Sequence, residues 1–215
     1  HERTGCPDGT TIIIRDLFYN VPARQKFLKR DVTEGNQVQG LIDKLALAHP
    51  DVSFRLIRDK KQVRSTGGDG DYYSAIYAVF GKQFAGSLIP VEYSMGDITL
   101  TGYISSPLFT RPNRSMQYFF VNGRYFRSPY LHKAVMKAYE NLIPEGVTPS
   151  YFIYLEIDPQ AVDVNIHPTK TEIKFEDDSV VFQTLFACIK ESLGKNSFGD
   201  SIDFDREGVP EIPAF

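Results

Sequence analysis

Residues 151–157 are apolar at every position except Glu156, so the segment offers water no face. A strand of that kind belongs in the interior of a sheet, with hydrogen-bonded neighbours on both edges. The chain must therefore supply further strands, and several are legible. Residues 98–105 alternate Ile98, Leu100 and Ile104 with Thr99, Thr101 and Tyr103, and residues 87–93 precede them across Met95-Gly96-Asp97. Residues 117–122 make a third strand ending at the Asn122-Gly123 turn, and 171–175 make another. Helical signals fall between them. Asp71 caps a short helix carrying Ile76, Val79 and Phe80 and closed by Gly81. Ser128-Pro129 opens a second, with Leu131, Val135, Ala138, Tyr139 and Leu142 along one stripe. A third starts near Asp178, buries Phe182, Leu185, Phe186 and Ile189, and stops at Gly194. Residues 70–195 thus read as an α+β unit of at least five strands and three helices.

The preceding segment is organised differently. A turn at Asp8-Gly9 runs into residues 10–15, whose β-branched run reads as a buried strand. No partner strand precedes it, so the chain is expected to begin inside a larger domain. Asp31-Val32-Thr33-Glu34 has the form of a capping box, and Val38, Leu41, Ile42 and Leu45 follow at helical spacing, giving a helix over about 34–49. Residues 53–58 and 62–66 read as a hairpin around Lys60-Lys61. Gly67-Gly68-Asp69-Gly70 is the clearest break in the chain and is taken as a domain boundary. Beyond Ser197 an acidic, proline-containing tail lacks periodicity and reads as a linker.

With 42% hydrophobic and 24% charged residues in 215, the chain is not disordered, collagen-like or coiled-coil. Cys6 and Cys188 are too few for a disulfide framework and fit a reducing compartment. No segment approaches the roughly 20 apolar residues of a membrane helix, so a soluble, intracellular protein is expected. The net charge of −3 hides a polarised distribution. Residues 98–139 contain no acid but hold Arg111, Arg114, Arg124, Arg127, Lys133 and Lys137, whereas nine acids face three bases from Glu176 onward.

Three constellations could carry chemistry. Asp163, Asn165 and His167 would share one face of an extended segment, which suits either a hard-metal or acid/base site or side chains that tie down a loop. His167-Pro168-Thr169-Lys170 sets a lysine in a stiffened connection, where it could meet a phosphate as a point charge or remain solvated. The basic run places Arg111 and Arg114 in a loop and Arg124 and Arg127 before a capped helix N-terminus, as a phosphodiester backbone would require. Its aromatic residues suit base stacking or the core, and a solvated basic face fits the same arginines. No Walker pattern and no Gly-x-Ser-x-Gly elbow occurs.

Gly9-Thr10-Thr11 leading into Arg15-Asp16-Leu17-Phe18-Tyr19-Asn20-Val21-Pro22-Ala23-Arg24, then Phe120-Val121-Asn122-Gly123-Arg124, then residues 162–175 around Asp163, Asn165, His167 and Lys170, come in order. Together they closely resemble the signatures of the MutL family of DNA mismatch repair proteins, over nearly the whole chain up to about Leu193. The resemblance implies residues 1–66 as the C-terminal part of a GHKL ATPase domain, 70–195 as a transducer domain of the ribosomal protein S5 domain 2-like fold, and 196–215 as the start of an acidic linker. It implies that the family's metal-binding Asn, catalytic Glu and Asp-x-Gly-x-Gly motif lie upstream of His1. No catalytic residue and no ATPase activity are then expected of this fragment, although the full-length parent would use ATP and Mg.

By position, the resemblance assigns Lys170 to the γ-phosphate and Thr10 to the pocket edge, and makes Asp163, Asn165 and His167 loop-positioning rather than metal-binding. It favours DNA as the partner of Arg111, Arg114, Arg124, Arg127 and Lys133, through nonspecific backbone contacts. It further implies dimerisation with a second copy or paralogue, a mismatch-recognition partner of the MutS type, no membrane, and a bacterial cytoplasm rather than a nucleus. The rival reading is a freestanding nucleic-acid or protein-binding module of the same fold.

Overall fold

The computed structural model describes residues 8–109, 116–164 and 171–196. The chain divides into two compact units between Leu41 and Ile42. In the first unit residues 10–15 form no strand, and Ile12, Ile13 and Ile14 are exposed. The expected strand is corrected for a physical reason: a strand needs a hydrogen-bonded neighbour, and none occurs among the described residues of this unit. The chain turns through Asp16 and Phe18, both at positive φ, and enters α1 (Pro22–Gln25) with Pro22 at its first position. Helix α2 (Asp31–Ala48) begins before the expected residue 34. Its capping differs as well. The Arg30 carbonyl accepts the Thr33 and Glu34 N–H groups, while the Glu34 carboxylate reaches back to the Lys29 N–H at 2.8 Å. Val38 and Leu41, expected in a buried stripe, are exposed.

In the second unit, the end of α2 buries Asp43, Leu47 and Ala48. Strands β1 (Arg55–Arg58) and β2 (Lys61–Ser65) pair antiparallel through a turn whose left-handed residues are Asp59 and Lys60, one position before the expected pair. Asp43 holds the hairpin to α2 by taking the Arg64 guanidinium at two points, 2.7 and 3.2 Å. The glycine-rich segment after β2 is tied down. Gly70 donates to the Pro50 carbonyl, and a Cβ on Gly68 would sit 2.7 Å from the Ser53 nitrogen.

Asp71 caps α3 (Tyr72–Phe80) by accepting the Tyr73 and Ser74 N–H groups. Gly81 ends it and leads into a separate short helix, α4 (Lys82–Ala85). There follow β3 (Leu88–Met95), β4 (Ile98–Ser105), β5 (Gln117–Val121), β6 (Arg124–Phe126), α5 (Pro129–Ala138) and β7 (Tyr151–Glu156), forming one sheet in the order β3-β4-β7-β5-β6. Only β5 and β7 pair in parallel, and α5 lies on the crossover between them. A two-residue ladder of β8 (Val162–Asp163) and β9 (Lys174–Phe175) precedes α6 (Asp178–Lys195), which Asp177 caps. The strand expected over 171–175 is thus reduced to its last two residues, which pair with the two residues of β8, while the Thr171 carbonyl accepts the Arg127 N–H at 2.8 Å.

Strand β7 is covered on both faces, as its apolar run requires. Tyr151, Ile153 and Leu155 pack with Leu131 and Val135 of α5 and Leu185 and Ile189 of α6. Phe152 and Tyr154 pack on the other side with Leu47, Ile76, Val79 and Phe84. The β4–β7 contact is close enough to dictate a residue. Gly102 has φ +145, and a Cβ there would lie 2.0 Å from the Phe152 carbonyl oxygen. Gly102→Ala is therefore expected to lower unfolding free energy by about 2–4 kcal/mol, measured by urea denaturation.

Candidate nucleic-acid interface

The local geometry starts at Asn122 and Gly123, both at positive φ, which turn β5 back into β6. The Asn122 side chain fixes this turn against the end of β7, accepting from the Ile157 N–H and donating to the Ile157 carbonyl. Along β6 the side chains then alternate. Phe126 enters the α5/α6 core layer, Tyr125 packs against the opposite layer, and Arg124 remains exposed. The Lys44 ammonium lies 4.7 Å above the Tyr125 ring.

Arg127 leaves the strand with two attachments. Its Nε donates to the Tyr125 hydroxyl at 3.1 Å, and that hydrogen bond raises its pKa further, so its charge is permanent. Its backbone N–H fixes Thr171. Ser128 then caps α5, its Oγ accepting the Leu131 N–H at 3.1 Å, with Pro129 at the first helical position. One turn on, Lys133 is exposed and His132 Nδ1 lies 3.1 Å from the Tyr151 hydroxyl. Between these elements lies a cleft of about 530 Å³ lined by Arg127, Ser128, His132 and Lys133 over the aromatic Phe119 and Tyr151, with no carboxylate among the described residues of its lining. A helix start, an arginine and a lysine around a cleft without acids form an anion-facing surface.

The structure brings Arg127 and Lys133 together and leaves Arg124 exposed on the adjoining strand. Arg111, Arg114, Asn165, His167 and Lys170 lie outside the described residues. Asp163 is exposed in β8 opposite Lys174, and among the described residues no cluster of three His, Cys, Asp or Glu side chains could hold a metal. Thr10 is exposed in the first unit. Most aromatic residues of the basic run are core: Phe119, Phe120 and Phe126 are buried, whereas Tyr130 is exposed and packs against Phe182. The Tyr125–Arg127 bond and strand β6 escaped the sequence reading, although Asn122-Gly123 should have signalled a returning strand.

Comparison with known proteins gives this arrangement a family. Residues 76–194 match the family described as DNA mismatch repair protein, C-terminal domain. The chain is 48% identical over 214 residues to the DNA mismatch repair protein MutL of Bacteroides fragilis and 45% identical over 214 residues to that of Phocaeicola vulgatus, covering 100% of this chain and 34% of each relative. Among solved structures, it superposes on the Aquifex aeolicus MutL ATPase domain complexed with ADP with a TM-score of 0.52 and 27% identity, over 68% of this chain and 52% of that one. A crystal structure of the N-terminal domain of a DNA repair protein shares the fold, with a TM-score of 0.68 and 23% identity over 83% of this chain and 59% of that one. The fold is thus the mixed α+β architecture of MutL N-terminal ATPase and transducer regions. The chain belongs to the MutL family of DNA mismatch repair proteins and spans about a third of the length of the curated relatives it matches.

The interface rests on the start of α5, and Ser128→Ala tests that support. Loss of the cap is expected to cost about 1 kcal/mol in urea denaturation.

Proposed function

We infer that this chain is the part of a MutL-type repair protein that couples ATP binding to N-terminal dimerisation and DNA binding. In this reading residues 1–66 complete a GHKL ATPase domain, 70–195 form the transducer domain and 196–215 begin the linker. The observation that carries the DNA half is the acid-free cleft at the start of α5, with Arg127 and Lys133 in its lining and Arg124 exposed nearby. Phosphodiester groups carry the charge such a surface attracts, and contacts to phosphate carry no sequence information, so binding is sequence-independent in this reading. Arg111 and Arg114 would extend the same positive run along the chain.

ATP and Mg belong to the whole protein in this reading, with a further copy or paralogue and a MutS-type protein as partners in a bacterial cytoplasm. No helix among the described residues is long and apolar enough to cross a membrane. Thr10 would stand at the nucleotide pocket edge and Lys170 would supply a point charge to the γ-phosphate, with Asp163, Asn165 and His167 holding its loop. ATP would favour the docked arrangement and ADP would not, because only ATP carries the group that Lys170 meets.

Two measurements test the reading. Duplex DNA binding should weaken with salt by about 0.9 log units per log unit for each phosphate contacted, and Arg124→Glu with Arg127→Glu should reduce that slope by about two contacts' worth. An unchanged slope would place DNA elsewhere. In the full-length protein, Lys170→Ala should reduce ATP turnover and nucleotide-driven dimerisation about ten- to a hundredfold, the equivalent of one charge-assisted contact. Turnover and dimerisation equal to the parent's would remove Lys170 from the nucleotide.

A further inference from the structure

The register of the central sheet separates two kinds of surface. Gln117 and Tyr151, the paired first residues of β5 and β7, line the basic cleft. At the other end of the same strands, Asn122, Glu156 and Ile157 line a second cleft of about 500 Å³, and a third of about 590 Å³ adjoins it. These two share Asp97 and Ile157, so they form one groove passing the β3–β4 turn. Among the described residues, the groove's lining contains Asp97, Glu156, Asp158, Glu176 and Asp177, all exposed, and no Lys, Arg or His. Its floor is apolar: Ile98, Ile157, Ala161, Val180 and Val181 lie beneath, and Met95 at the lip is 40% exposed. In the second cleft the floor includes Tyr154, buried to 4% exposure, whose hydroxyl has no hydrogen-bond partner among the described residues.

We propose that this groove docks a basic segment of a protein partner, with lysine or arginine side chains meeting the five carboxylates and an aliphatic side chain between them seated on the floor beside Met95. Charge complementarity selects the partner. Nucleic acid is repelled by this lining, and a cationic segment lacking an aliphatic anchor would leave the floor exposed. Methionine at the lip suits an adaptable apolar contact. The six-residue length of β7 keeps this groove and the cleft of Arg127 and Lys133 at opposite ends of one sheet, so a bound partner leaves that cleft open, whereas Arg124, paired with Val121, stands at the groove's end. The proposal rests on residues separate from those assigned to DNA, and it can fail while that reading stands.

The test uses isotope-labelled 215-residue chain and a synthetic peptide alternating arginine with leucine, followed by amide chemical shifts. Saturable shifts at Gly96, Asp97, Ile157 and Glu176, with none at Arg127 or Lys133, are expected, and a DNA duplex should give the reverse. Asp97→Lys combined with Glu176→Lys should weaken the peptide about tenfold without changing duplex affinity; both are exposed and neither caps a helix, so folding is spared. Met95→Ser should weaken the peptide as well, and a glutamate-for-arginine peptide should not bind. Absence of saturation by about 1 mM would overturn the proposal. So would equal binding by the charge-reversed variant, or concentration-dependent self-association through these same amides, which would make a second copy the occupant.

Discussion

Burial of β7 on both faces is the constraint on which the second unit depends. Its six residues leave no side for water, so helices must cover it twice and strands must flank it on both edges. The end of α2, with α3 and α4, meets one demand, and α5 with α6 meets the other. The cost of closeness appears at Gly102, where the β4 backbone presses on the Phe152 carbonyl and no side chain fits. The parallel pairing of β5 with β7 is a second consequence. A parallel neighbour requires a crossover, here β6 followed by α5; β6 runs back along β5, and so the start of α5 lies at the end of the sheet where β5 and β7 begin.

Much of this was legible because periodicity reports burial. The apolar run at 151–157, the alternation at 98–105 and the caps at Asp71 and Ser128 each correspond to the observed element. The failures have physical causes. Residues 10–15 carry strand propensity, but propensity cannot supply a pairing partner, and Ile12 to Ile14 remain exposed. The stripe at Val38 and Leu41 likewise has helical spacing, yet the same helix buries Asp43 and Leu47 on a different face. Asp43 is buried because Arg64, 21 residues away, meets it at two points, and no local pattern announces such a pair.

The candidate interface was only partly legible, for a related reason. Acid-free composition located the basic run, but composition could not say which aromatic residues would stack on a ligand and which would pack inside. The pleat decides that. Phe119 and Phe120 project to opposite layers of the core, and Phe126 joins the first, so stacking surface is withdrawn from the run. Two contacts supplied what composition lacked: the Tyr125 hydroxyl two residues back that holds Arg127, and the distant Thr171 carbonyl that receives its N–H.

That last bond gives the architecture a joint. Arg127 stands between β6 and the cap of α5, and Thr171 immediately follows the segment that ends at Lys170. A backbone hydrogen bond of 2.8 Å tolerates little displacement before its energy is lost, so the β6–α5 corner and residue 171 move together or break the bond. On the other side of the same segment, Asn122 anchors Ile157 at the exit of β7, and the Glu176 backbone N–H donates to the Ala161 carbonyl. The chain entering and leaving residues 165–170 is thus pinned at points that belong to the β5–β6 turn, the basic corner and the β8–β9 ladder. The basic corner is therefore tied to residue 171 by one backbone bond, while the acidic groove is joined to the same residue along the chain itself, through Glu176 and Phe175 in its lining.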